Sequence, residues 1–113
     1  MRSMRHVLRI AVSAYSGIPP EELVSETRRF LEELAERCWP YRLYVGGYRG
    51  LMKTVVDEAL KLGVTVTAII PVEYEEDEYP EEVVTVHTGM SFKGRNVILV
   101  RSGELLAALG GGA

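Results

Sequence analysis

The stretch GGYRGLM, Gly46 to Met52, places three glycines around one arginine, between a short apolar run and a segment with helical spacing. Bare glycine N–H groups ahead of a helix start can face an anion, so this spacing suits a phosphate. The same glycines also suit a tight turn, since strand-to-helix connections use glycine on steric grounds alone. Two other segments have the same small or glycine-rich character: SAYSG, Ser13 to Gly17, and LGGGA, Leu109 to Ala113. Ser13 and Ser16 add hydroxyl donors. Arg95 adds a fork-shaped cation suited to a phosphate. Asn96, the only asparagine in a chain without glutamine, adds an amide that a specific hydrogen bond would retain. The candidate ligand set is therefore Ser13, Ser16, Gly46, Gly47, Gly50, Arg95, Asn96, Gly110, Gly111 and Gly112. Neither a GxGxxG dinucleotide fingerprint nor a GxxxxGK[ST] phosphate loop is present, so the familiar NAD and ATP sites gain no support.

Secondary structure must bring these loops together. His6 to Ala14, HVLRIAVSA, is rich in branched apolar residues and reads as a buried strand. A helix follows, entered through Pro19 and Pro20, with Leu23, Phe30, Leu31, Leu34 and Ala35 at helical spacing until Trp39 and Pro40 stop it. Tyr41 to Val45 reads as a second strand. Leu51, Val55, Val56, Ala59, Leu60 and Leu62 form one face of a second helix, which Gly63 caps. Val64 to Ile70 is a third strand closed by Pro71. Beyond the acidic run, Val83 to His87 is a brief extended piece, Met90 to Arg101 a third helix, and Glu104 to Leu109 a fourth strand. Strand and helix alternate, so the expected architecture is α/β: a Rossmann-like parallel sheet of about four main strands with helices on both faces. In such sheets ligands sit at the carboxyl ends of the strands, where SAYSG, GGYRG and LGGGA all fall.

Composition sets the frame for any ligand. At 113 residues, 47% of them hydrophobic and 26% charged, residues 1–113 read as one domain with a real core. No apolar run approaches the roughly 18 residues of a membrane span, and the start MRSMRHVLRIAVSAYSG fits a first strand better than a secretion signal. One cysteine, Cys38, excludes an internal disulfide; it reads as a packing residue and leaves a cytoplasmic location as the expectation. The run Glu73 to Glu82 holds seven acidic residues, read as a solvated loop, and the remainder carries thirteen basic against nine acidic residues. That mild excess permits an anionic ligand but lacks the basic stripe of a nucleic-acid binder. Scarce amides beside abundant Glu and Arg point to a thermophilic source.

The segment GGYRGLMKTVVDEALKLG, Gly46 to Gly63, resembles the glycine-rich turn, "GLM" and following helix of the Lonely Guy and lysine-decarboxylase-like Rossmann proteins, a group that includes molybdenum-cofactor carriers. GRNVILVRSGELLAALGGGA, Gly94 to Ala113, resembles that family's Arg-Asn helix and the strand before its "GG-x-GT" loop. The resemblance implies a nucleotide- or phosphate-binding protein, with a nucleoside monophosphate or the molybdenum cofactor as ligand, no required cofactor, and a homo-oligomer, as a dimer; a molybdenum-cofactor carrier or a purely structural oligomerising domain is the alternative. In the enzymatic members it implies hydrolysis of the N-glycosidic bond of a nucleoside 5'-monophosphate, with an arginine near the position of Arg95 as one catalytic residue. The family's Gly-Thr turn and the glutamate after it have no counterpart before Ala113. The domain thus reads as incomplete at its C-terminus, and phosphoribohydrolase activity as a property of a longer chain or of a partner that supplies the carboxylate.

The remaining chemistry-bearing residues carry weaker signals. His6 and His87 have no Cys, His or Asp at ligand spacing, so no zinc site is expected, and His87 reads as a surface residue. Arg49 reads as a cover for the glycine turn. Tyr15, Tyr44, Tyr48, Tyr74 and Tyr79 form neither a helical stripe nor a stacking platform for nucleic acid.

Overall fold

The computed structural model describes residues 6–14 and 17–109, so Ser16 and Gly110 to Gly112 lie outside the described residues. Along the chain run β1 (Leu8–Ala14), α1 (Glu21–Arg37), β2 (Tyr41–Val45), α2 (Leu51–Lys61), β3 (Thr65–Ile70), β4 (Val84–His87), α3 (Phe92–Ser102) and β5 (Leu105–Leu109). All strands pair in parallel, in the order β4-β3-β2-β1-β5. The architecture is α/β and Rossmann-like, with five strands among the described residues where about four are expected. The difference is the brief extended piece: Val84 to His87 adds to the sheet edge, register Thr67 to Val84 through Ile70 to His87.

Alternation along the strands divides the core in two. Ile10 and Val12 of β1, Leu43 and Val45 of β2, and Val66, Ala68 and Ile70 of β3 face α1 and α2 and pack with Leu31, Val55, Val56 and Ala59. Ala11, Ile69 and the half-buried Tyr44 point the other way, against Leu99 and Ile98 of α3. Full burial of each Val, Leu or Ile contributes about 1.5–3 kcal/mol, so the first layer carries most of the fold. The chain steps outward from β1 to β4 and then returns past β1 to β5. Because such crossovers are right-handed, the return must place α3 on the face opposite α1 and α2.

Gly63, at φ 79°, ends α2 in the left-handed conformation that a helix C-terminus favours. Among the described residues no helix is long and apolar enough to cross a membrane.

Candidate anion-binding site

Parallel pairing gathers the carboxyl ends of β1, β2 and β3 on one rim, and α3 passes beneath it. A cleft of about 100 Å³ opens there, lined by Val12, Ser13 and Ala14 after β1, by Gly46, Gly47, Arg49 and Met52 around the turn into α2, by Tyr74 beyond β3, and by Arg95, Asn96 and Leu99 of α3. This space holds a small anion or several waters and falls below the roughly 300 Å³ at which pockets for whole drug-sized ligands begin.

Arg95 is the organising residue. It lies four positions before Leu99, and both are on the buried side of α3. Only 7% of Arg95 is exposed. Its Nη1 donates to the carbonyl of Gly46 at the end of β2 and, at 3.0 Å, to the carbonyl of Ile69 in β3. Its Nε donates at 2.8 Å to Oδ1 of the next residue, Asn96. Nη2 donates to no group among the described residues, and no carboxylate there pairs with Arg95 within 4 Å. Burial pushes the guanidinium pKa down from its ordinary value, against a smaller upward pull from Tyr74, Glu73 and Tyr79. Arginine nonetheless keeps its charge in proteins. A buried, carboxylate-free cation beside a cleft is costly unless an anion or water completes it.

Two neighbours explain the glycines. A Cβ at Gly46 would stand 2.8 Å from Arg95 Nη1, and one at Gly47 would stand 2.8 Å from the Tyr74 ring. Gly47 therefore owes its identity to close approach by an aromatic ring and has no positive φ, whereas Gly50 does, at φ 59° and ψ −134° before α2. None of the loop and cap hydrogen bonds among the described residues uses the backbone N–H of Gly47, Tyr48, Arg49 or Gly50. Asn96 and Ser13 are exposed at the rim.

The structure brings Ser13, Gly46, Gly47, Arg95 and Asn96 to one cleft. Gly50 faces a different hollow, with Gly17, Lys53 and Asp57. Arg95 is not the solvated helix residue that its type alone would suggest. Leu99 and the Ile69 carbonyl join the site without a motif in the sequence; Tyr74 carries a positional signal, four residues past the end of the third strand. The acidic run is not merely a solvated loop, because Asp77 within it pairs with Arg49 at 2.6 Å. Among the described residues no group of three His, Cys, Asp or Glu is placed to hold a metal ion.

Residues 10–113 match the SLOG cluster4 family. The chain belongs to this family. The Lonely Guy-like resemblance of the glycine turn and the Arg-Asn helix is thus carried by nearly the whole SLOG cluster4 chain. No curated protein matches it. Among solved structures, the X-ray structure of TM1055 is 28% identical with a TM-score of 0.76, over 93% of this chain and 62% of that one. The molybdenum-cofactor carrier protein of Chlamydomonas reinhardtii is 22% identical (TM-score 0.74, 95% and 64% covered), and the molybdenum cofactor binding protein of Rippkaea orientalis is 23% identical (TM-score 0.76, 98% and 66% covered). The latter two show a shared fold. This SLOG cluster4 chain spans less than two thirds of each of these proteins.

Proposed function

We propose that the cleft around Arg95 binds the phosphate of a small phosphorylated ligand, of the nucleoside monophosphate class, as part of a Lonely Guy-like ligand-binding protein. The observation that supports this reading is the buried Arg95, fixed by the Gly46 and Ile69 carbonyls and left with Nη2 and no carboxylate partner among the described residues. No described residue lining the cleft is a carboxylate. Carboxylate acid-base work on a glycosidic bond therefore has no group on the described wall, which favours binding over hydrolysis for this segment. Phosphoribohydrolase activity stays the reading for an assembly or longer polypeptide that brings a glutamate to the cleft.

A second ligand has its own support. Two structural neighbours are described as a carrier and a binder of the molybdenum cofactor. Both ligands would use the same anion subsite and differ in what lies beyond it. Homo-oligomer formation is proposed from exposed apolar residues, Val84 and Val86 on β4 and Val97 and Val100 on α3. Calorimetric titration with AMP, ribose 5-phosphate and adenosine tests the phosphate reading. Heat from the two phosphorylated compounds and none from adenosine is expected; equal behaviour of AMP and adenosine would refute it.

A further inference from the structure

Asp77 reaches from the middle of the acidic run back to the glycine turn. It accepts Arg49 Nε at 2.6 Å and Arg49 Nη2 at 2.7 Å, a two-pronged pair, while the Arg49 guanidinium lies over the Tyr74 ring, 4.2 Å from its centroid. Arg49 also lines the cleft that Arg95 organises. Two cations therefore stand on one wall, and the chain's own carboxylate occupies one of them.

We propose that Asp77 is an internal stand-in for a ligand anion: a phosphate anchored on Arg95 draws Arg49 off Asp77, making Arg49 a second anion contact and releasing the acidic loop. This rests on the phosphate reading of the cleft. The exchange is chemically even-handed, because an arginine fork recognises carboxylate and phosphate with the same geometry. It is also cheap to start, since the side chains of Arg49 and Asp77 are 48% and 22% exposed and an exposed pair contributes little net stability. A phosphate dianion has the advantage over Asp77 of meeting both cations at once. Once Arg49 leaves, the seven carboxylates from Glu73 to Glu82 lose the one arginine bonded to them among the described residues, and their mutual repulsion favours an open loop. Tyr74, which Arg49 covers, is uncovered at the same moment.

Titration of inorganic phosphate and AMP into wild type, Asp77→Asn, Arg49→Ala and the double variant tests this. Asp77→Asn should tighten binding roughly two- to fivefold, the range set by an exposed ion pair, and the gain should vanish in the Arg49→Ala background. Arg49→Ala alone should weaken binding. In the wild-type protein, the Arg49 Nε–H resonance should shift on phosphate addition. Asp77→Asn binding like wild type, a gain that persists without Arg49, or an unmoved Arg49 resonance at saturation would each overturn the proposal. Should these occur while Arg95→Ala still weakens phosphate binding, the phosphate reading survives and only the Asp77 exchange fails. No phosphate binding to wild type or Asp77→Asn overturns both.

Discussion

Arg95 donates from α3 to the main-chain carbonyl of Gly46, joining the helix on one face of the sheet to the end of β2. The bond makes one side chain both a strut and a charge. Its Nη1 satisfies two strand-end carbonyls, so the residue cannot be removed without leaving acceptors buried. Arg95→Ala should therefore lower stability by about 1–3 kcal/mol, the cost of an unsatisfied buried polar group, read as a drop in the urea midpoint. An unchanged midpoint would contradict a net stabilising role for the two Arg95 bonds.

Gly47 and Tyr74 form a matched pair. A methyl group at Gly47 would meet the Tyr74 ring, so Gly47→Ala should destabilise by about 1–3 kcal/mol through overpacking. In a Tyr74→Ala background, Gly47→Ala should cost little further stability. An equal cost of Gly47→Ala in the two backgrounds, measured by thermal melting, would place the cause in the backbone instead.

Gly50 makes the opposite case, because its constraint is conformational. Its φ of 59° with ψ −134° is closed to L side chains at a cost of about 1–3 kcal/mol. Gly50→Ala should lower the melting temperature while leaving phosphate affinity per folded molecule unchanged, since Gly50 faces another hollow.

Acid should loosen the contact between β1 and the start of β5. Glu104 accepts the Arg9 N–H at 3.0 Å and lies 2.8 Å from His6, and these two contacts, in that order, hold its carboxyl below the usual range. A carboxylate lowered in the folded state stabilises above its unfolded pKa, about 4.3, and that contribution disappears as pH falls through the folded value. Melting temperature followed from pH 6 to pH 3 should fall less steeply for Glu104→Gln than for wild type.

Much of the fold was legible because its signals are local. Branched apolar runs marked β1 and β3, the short aromatic-rich Tyr41 to Val45 marked β2, and the Leu51, Val55 and Ala59 spacing marked α2. Val84 to His87 was weaker: its apolar-polar alternation runs for only four residues, all of them exposed, too short a stretch to mark a sheet strand. The rim location of Gly46 and Gly47 followed from strand ends in a parallel sheet, whereas Arg95 comes to the rim from within α3, which that rule does not place. The burial of Arg95 was half visible, because Leu99 four residues later places it on an apolar helix face. Its bonds to Gly46 and Ile69, and that of Arg49 to Asp77, span 49, 26 and 28 positions and leave no local trace.

Isothermal titration of AMP into wild type and Arg95→Ala, both shown to be folded at the working temperature, addresses the phosphate site most directly. Wild type should bind and the variant should lose about 1.5–3 kcal/mol of affinity, the worth of a hydrogen bond to a charged group. Equal affinity in the two proteins would contradict a phosphate site at Arg95.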